Sequence, residues 1–336
     1  MTLTQLSYLV AVETHGHFGR AARACFVTQP TLSMQVQKLE RELGVEIFDR
    51  SRAPVRPTEL GRLVVEQARR TVREAARISD LLQAQRGEVA GELRVGVIPT
   101  VGPYLLPRFV HTLAQRHPGL ALRVEELPTA AILQRLRAET LDAGVVATEE
   151  EGSGLQHELL YEEPFVAYVN ARHPLGRVGE VRRDQLSREE VWLLSEAHCL
   201  RAQVLGLCTQ GALPDEGGPR CAPGVRFESG NLETLKRLVE NGEGMTLLPA
   251  LAAEYAGIGA DPPARVIPFQ APAPARRIML VRRRASLKRH LVRTFVHALT
   301  AGLPPGVCTP PPERGEDADG RRYFAYLDLE ESAAPA

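Results

Sequence analysis

The sequence has no run approaching about 18 uncharged apolar residues, and Met1 leads into Thr-Leu-Thr-Gln without a basic segment or an apolar core behind it. A spanning helix and a secretion signal are therefore not expected, and the chain is read as cytoplasmic with no membrane partner. Cysteine is scarce: Cys25, Cys199, Cys208, Cys221 and Cys308 are too few and too scattered for a disulfide scaffold, which fits a reducing compartment. Any redox role then falls to catalysis or regulation. Neither Gly-x-Gly-x-x-Gly nor Gly-x-Ser-x-Gly occurs, so the sequence supports neither a nucleotide-dependent enzyme nor an esterase, and no cofactor is expected. Excess charge of one sign is missing too, with 41 Lys+Arg against 41 Asp+Glu. Residues 1–90 carry 13 basic and 10 acidic side chains, and the remainder 28 and 31. That excludes wholesale coating of nucleic acid but allows a small module that places a few arginines at phosphates. What is present, 336 residues of which 44% are hydrophobic, suffices for two globular units at roughly 150 residues each.

The first 60 residues read as helices. Leu3, Leu6, Leu9, Val10 and Val12 form an apolar face that breaks near Gly16, and Arg20 to Ala24 make a short second segment. A third helix is capped by Thr28 or Gln29, accepts Pro30 where a missing amide costs nothing, and carries Leu32, Val36, Leu39 and Leu43 at helical spacing up to Gly44. This is a helix-turn-helix pattern. If the third helix enters a major groove of double-stranded DNA, Gln29, Pro30, Thr31 and Ser33 face base edges and phosphates. Gln29 suits a bidentate contact to adenine, the Thr31 methyl suits thymine, and Ser33 and Lys38 suit phosphates. Phe48 to Arg52 and Val55 to Thr58 then flank Pro54 as a small basic hairpin, whose Arg50, Arg52 and Arg56 can reach the flanking backbone or a narrow minor groove. The same pattern also describes a three-helix structural module with a polar outer face. From Leu60 through Val64, Ala68, Val72, Ala75, Ile78 and Leu82, small and apolar residues recur every three or four positions. A helix so long and one-sided needs a partner, most simply its own copy, and Gly87 to Gly91 supplies a linker.

Beyond Leu93 strands and helices alternate. Strands are expected at 93–98, 120–125, 143–147, 164–169, 191–194, 245–248 and 278–281, and helices at 104–116, 130–139, 232–241 and 287–301, which predicts an α/β region with mostly parallel sheets. Roughly 210 residues favour two subdomains with a ligand or sensing site between them. After Gly302 the prolines and charges predict a disordered tail, interrupted by the aromatic cluster Tyr323-Phe324-Ala325-Tyr326.

One segment carries chemistry of its own. Cys199 is expected at the start of a helical turn beside His198 and Arg201, a setting that favours the thiolate, the form that attacks a peroxide oxygen. Cys208 lies nine residues on. In one continuous helix the two Cα atoms would stand about 13.5 Å apart, whereas a disulfide needs less than about 7 Å. Oxidation to a disulfide would therefore unwind the segment, and Gly206 would ease the unwinding. Two buried apolar thiols are the plainer reading of the same pair. Zinc fits poorly, because Cys-x8-Cys has the wrong spacing and His198 adjoins Cys199 awkwardly, so no metal is expected. Cys25 is expected in a helical core, with Cys221 and Cys308 exposed.

Several motifs together give a specific likeness. Phe18-Gly19-Arg20-Ala21-Ala22, Thr28-Gln29-Pro30-Thr31-Leu32-Ser33, Lys38-Leu39-Glu40 and Leu43-Gly44-Val45 in the first part, with Thr246-Leu247-Leu248-Pro249 further on, resemble a LysR-type transcriptional regulator over roughly residues 1–302. Leu232-Glu233-Thr234-Leu235 carries the same likeness, while Ile98-Pro99-Thr100-Val101-Gly102-Pro103-Tyr104-Leu105-Leu106-Pro107 and His198-Cys199-Leu200-Arg201 narrow it by their similarity to the peroxide-sensing members of that family. The resemblance implies a winged helix-turn-helix at 1–58 and a dimerisation helix and hinge at 59–91. It implies a periplasmic-binding-protein-like effector domain of two α/β subdomains at 92–302, with the tail at 303–336 outside the pattern. It further implies that Cys199 is peroxidatic and Cys208 resolving, that Thr100, Thr129 and His198 hold hydrogen peroxide, and that Arg201 supports the thiolate. The implied partners are DNA, RNA polymerase, a further copy or copies of the chain in a dimer or tetramer, and a thiol reductant such as glutaredoxin or thioredoxin, in the service of antioxidant genes. The alternatives are a regulator answering a small metabolite in the cleft, or an enzyme or solute-binding protein on the same α/β halves. The loop 209–224, longer than the family's and containing Cys221, leaves the disulfide partner open.

Overall fold

The computed structural model describes residues 1–51, 53–85, 89–148, 154–187, 191–196, 198–208, 230–242, 244–254, 256, 262–284, 288–304, 314–316 and 322–324. They fall into two compact units, Met1–Glu88 and Val89–Ala336.

In the first unit α1 (Leu3–His15) starts at Thr2, whose hydroxyl accepts from the Gln5 amide while the Gln5 side chain accepts from the Thr2 amide. Gly16 ends it in the left-handed conformation. His17 Nδ1 caps α2 (Phe18–Ala24) by accepting from the Gly19 amide at 2.9 Å. The Thr28 hydroxyl caps α3 (Gln29–Leu43), which carries Pro30 in its first turn and ends at left-handed Gly44. Leu9, Val12, Leu32, Val36 and Leu39 interlock as the core. Strands β1 (Phe48–Asp49) and β2 (Arg56–Pro57) pair antiparallel as the expected wing. Thr58 then accepts from the Gly61 amide at 2.9 Å and opens α4 (Glu59–Gln85). A Cβ at Gly61 would lie 2.0 Å from the Ile47 carbonyl oxygen, so only glycine lets α4 approach this closely. Val65 and Ala68 of α4 are buried in the module, whereas Leu60, Leu63 and Ile78 are exposed.

The second unit is built on β3 (Gly91–Val97), α5 (Gly102–Arg116), β4 (Leu120–Glu126), α6 (Thr129–Arg137), β5 (Ala143–Val146) and β6 (Leu155–Asn170). There follow α7 (Cys199–Leu207), α8 (Leu232–Asn241), β7 (Met245–Pro249), α9 (Ala250–Ala253), β8 (Ala264–Pro268), β9 (Ala275–Arg283) and α10 (Arg289–Ala301). The strand order is β4-β3-β5-β9-β6-β7, with β8 also on β6. Two cores result. One gathers Leu93, Val95, Phe109, Ile132, Val145 and Phe295; the other gathers Tyr168, Trp192, Leu194, Val204, Leu235 and Leu247. Strand β6 joins them, placing Leu160 and Tyr161 in the first core and Phe165 and Tyr168 in the second.

Three expectations about the sheet change. The sheet is parallel only across β4, β3 and β5; every pairing of β6 and β9 is antiparallel. The strand expected at 164–169 is the second half of β6. Its first half holds the buried Glu158 and Glu163, which pair across the ladder with Arg282 and Arg276 of β9, and the exposed Glu162, which pairs with Arg277. At 191–194 only a single bridge forms, Val191 to Met245. The carbonyls of Trp192 and Leu194 instead accept from the Thr246 hydroxyl and the Arg201 guanidinium. In the stretch expected as a disordered tail, β10 (Arg314–Glu316) pairs antiparallel with β11 (Arg322–Phe324), and the other residues beyond Pro304 lie outside the described ones. Among the described residues no helix is long and apolar enough to cross a membrane.

Candidate functional site

Parallel strands β4, β3 and β5 aim their carboxyl ends at one edge of the sheet, the position where open α/β sheets bind ligands. Thr100 follows β3, Thr129 opens α6 after β4, and Ala147 follows β5. The amide of Leu127 donates to the Val97 carbonyl at 3.0 Å, which keeps the loops carrying the two threonines side by side. Thr100 is buried. Its hydroxyl and its carbonyl oxygen each accept from the Arg276 guanidinium at 3.0 Å. Arg276 is itself buried and ion-paired at 2.7 Å with Glu163, whose other carboxylate oxygen accepts from the Leu251 amide. A hydroxyl that accepts from arginine keeps its own proton to donate. The Thr129 hydroxyl is buried without a hydrogen-bond partner among the described residues.

Helix α7 meets this edge. Cys199 is its first residue and packs, half-buried, against the first core, whereas Leu200, Val204 and Cys208 belong to the second. One turn beyond Cys199, the Gln203 side-chain amide donates to the Ala147 carbonyl at 2.8 Å. Gln203 also lines a cleft of about 390 Å³ with Arg276, Thr148 and Met279. Cys208 ends the helix, buried, its amide donating to the Val204 carbonyl at 3.2 Å. Neither sulfur is in a disulfide. His198 precedes the helix as its N-cap residue; a Cβ on Gly230 would lie 3.0 Å from its Nε2, and burial lowers its pKa from the ordinary value. Arg201 turns back, donating Nη1 to the Leu194 carbonyl. The structure therefore brings Thr100 and Thr129 to one sheet edge and docks α7 on it, but directs Arg201 to the protein's own backbone. Cys25 is a half-buried helix-end thiol whose pKa burial raises, in line with a core residue. Cys221 and Cys308 lie outside the described residues. Among the described residues no cluster of His, Cys, Asp and Glu could hold a metal.

On the first unit, Gln29, Pro30, Thr31 and Lys38 are exposed on α3, and the Thr31 hydroxyl bonds that of Thr28 at 2.8 Å. Arg56 is exposed on the wing. Arg50 is exposed but tied back to the module: it pairs with Glu40 at 2.8 Å, donates to the Ser33 hydroxyl at 3.4 Å and lies over the Phe18 ring. Arg52 lies outside the described residues. Arg41 and Arg62 line a groove with Arg50 and Arg56 and were not singled out from the sequence, although Arg41 follows Lys38 by one helical turn. Arg276, Glu163 and Gln203 were also missed, because nothing local marks a residue whose partner lies over 50 positions away.

Residues 3–62 match the family described as bacterial regulatory helix-turn-helix protein, lysR family, and residues 86–304 match the LysR substrate binding domain. A hydrogen peroxide-inducible genes activator of Dickeya chrysanthemi is 37% identical over 286 residues, covering 85% of this chain and 90% of that protein. The DNA-binding transcriptional dual regulator OxyR of Escherichia coli is 36% identical over 309 residues, 90% of this chain and 96% of its own. Among solved structures, full-length OxyR of Pseudomonas aeruginosa with a cysteine-to-aspartate substitution superposes with a TM-score of 0.71 at 34% identity, covering 89% of this chain and 94% of that one. A Corynebacterium glutamicum OxyR mutant with hydrogen peroxide bound gives 0.58 at 28% identity, covering 90% and 92%.

Proposed function

The chain belongs to the LysR family of bacterial regulators, close in sequence to its OxyR members, and on that footing we propose that it is a DNA-binding regulator of antioxidant genes switched by hydrogen peroxide through Cys199 and Cys208. The observation that carries this reading is the position of α7, with one cysteine against the first core and the other in the second.

Peroxide would sit at the carboxyl edge of β3 and β4. The Cys199 thiolate attacks one peroxide oxygen, the O–O bond breaks, and the departing hydroxide takes a proton to become water. Thr100 supports this step, since Arg276 occupies an acceptor site of its hydroxyl and leaves the proton to donate. Thr129 supplies a second buried hydroxyl with no partner among the described residues. His198, its pKa lowered by burial, favours the neutral imidazole. The resulting sulfenic acid is attacked by the Cys208 sulfur, a second water leaves, and two thiols plus one peroxide have become one disulfide and two waters. Each turnover consumes the dithiol, so the protein acts as a stoichiometric sensor rather than an enzyme. A dithiol reductant of the thioredoxin or glutaredoxin class would reset it.

Closing the disulfide requires α7 to unwind, since about nine helical steps separate the sulfurs' residues. The closed loop of about ten residues restrains the unwound segment by roughly 2.7 kcal/mol in the chain-entropy treatment. That is enough to bias a bistable region. The remodelled segment changes the arrangement of copies on DNA, where the exposed start of α3 and the wing contact the duplex. The exposed Leu60, Leu63 and Ile78 suit pairing of α4 with its copy, and a tetramer built from two such dimers is the expected assembly. Changed contacts at the promoter would be read by RNA polymerase in the cytoplasm. Footprinting of the reduced and oxidised protein tests the reading. The footprint should change in length or spacing on oxidation and should stay in its reduced form for Cys199→Ser; an identical response in that variant overturns the thiol switch.

A further inference from the structure

Helices α5 and α10 lie side by side on the first subdomain, with Phe109 and Phe295 packed edge to face at 5.5 Å between ring centres. Beside this contact runs a groove of about 460 Å³. Its floor is apolar, with Phe109, Leu113 and Ala298, and its rim carries the guanidiniums of Arg116 and Arg293 with the His297 imidazole. Among the described residues no carboxylate lines it. Arg108 at one end is already paired with Glu254 at 2.5 Å, whereas Arg116 and Arg293 have no ion-pair partner among the described residues. An apolar trough between unpaired guanidiniums fits an extended peptide that alternates apolar and acidic side chains.

The chain carries such a peptide. After Phe324 it reads Ala325-Tyr326-Leu327-Asp328-Leu329-Glu330-Glu331, in which leucine and acid alternate and no basic residue occurs. In an extended segment Leu327 and Leu329 share one face, while Asp328 and Glu330 share the other. The tail also departs from the right place, because the groove ends at Gly302. Ten residues, 304–313, lie between Leu303 and Arg314, and the ladder sets Arg314 opposite Phe324, so the acidic segment emerges beside the point where the hairpin began. Ten intervening residues can reach at most about 36 Å, more than the roughly 22 Å length of α5. We propose that the acidic segment Tyr326 to Glu331 docks, within its own chain, into the basic groove between α5 and α10.

The test exploits the scarcity of lysine, which occurs only at positions 38, 236 and 288. In the full-length Arg293→Lys protein, a zero-length carbodiimide would join the introduced amine to a carboxylate it touches. Peptide mapping should find the α10 peptide linked to the peptide holding Asp328, Glu330 and Glu331. The yield should fall at least about fivefold in roughly 0.5 M salt and likewise with Asp328→Asn, Glu330→Gln and Glu331→Gln combined. An equal mixture of light and heavy isotope-labelled protein should give links only within one label. Absence of the link, links mainly between labels, or an equal yield from Arg123→Lys on the exposed strand β4 would each overturn the proposal.

Discussion

The guanidinium of Arg276 donates to both the hydroxyl and the carbonyl oxygen of Thr100, each at 3.0 Å, while holding Glu163 in a pair that water does not reach. Four elements meet at this one side chain: β9, β6, the loop after β3 and, through the Leu251 amide on Glu163, α9. Removing one member of a buried pair leaves the other charge without compensation, at a cost of about 3 to 5 kcal/mol. Arg276→Gln should therefore lower the urea midpoint strongly, and adding Glu163→Gln should recover part of the loss. A single variant as stable as the parent would show that the pair is not structural.

Gln203 ties α7 to the first subdomain through the Ala147 carbonyl. Gln203→Ala removes a hydrogen bond of about 1 kcal/mol that must break before Cys208 can reach Cys199. The conversion of sulfenic acid to disulfide, followed in single-turnover mass spectrometry, should accelerate about fivefold. An unchanged or slower conversion would place the barrier elsewhere.

Burial lowers the His198 pKa, so the folded state holds fewer protons there than the unfolded chain. Its contribution to stability is intact above the unfolded value of about 6.5 and is lost as pH falls through that value toward the folded one. Acidification from about pH 7.5 to about 5.5 should loosen the start of α7, seen as faster amide exchange over 198–204 after correction for intrinsic rates. His198→Asn should flatten the response; an equal acceleration in that variant would acquit the histidine.

At the DNA face, the exposed Gln29 at the start of α3 should read one base. Gln29→Ala should cost about 1 to 3 kcal/mol at a single operator position. Arg56→Ala should weaken all sequences alike and reduce the salt slope by about one. A uniform loss for Gln29→Ala, or an unaltered slope for Arg56→Ala, would move those side chains off the proposed contacts.

The sequence reveals most where structure is locally encoded. Thr28, Pro30 and Gly44 mark both ends of α3 within the helix itself, and Leu232 to Asn241 coincides with α8. It reveals least where a residue's role depends on a distant partner. The carboxylates of the first half of β6 look solvated until β9, more than 110 residues later, supplies their arginines. Thr100 could be named from a motif, but the arginine that fixes its hydroxyl could not. Likewise the spacing of Cys199 and Cys208 sets how far apart their helix holds them, yet only the packing shows that they belong to different cores.

The central claim is tested most directly by counting thiols on the purified, reduced protein before and after one equivalent of hydrogen peroxide, with mapping of the linked peptides. The account predicts rapid loss of two thiols and a single new link between Cys199 and Cys208. Retention of all thiols, or a link from Cys199 to Cys221 in place of Cys208, would contradict it.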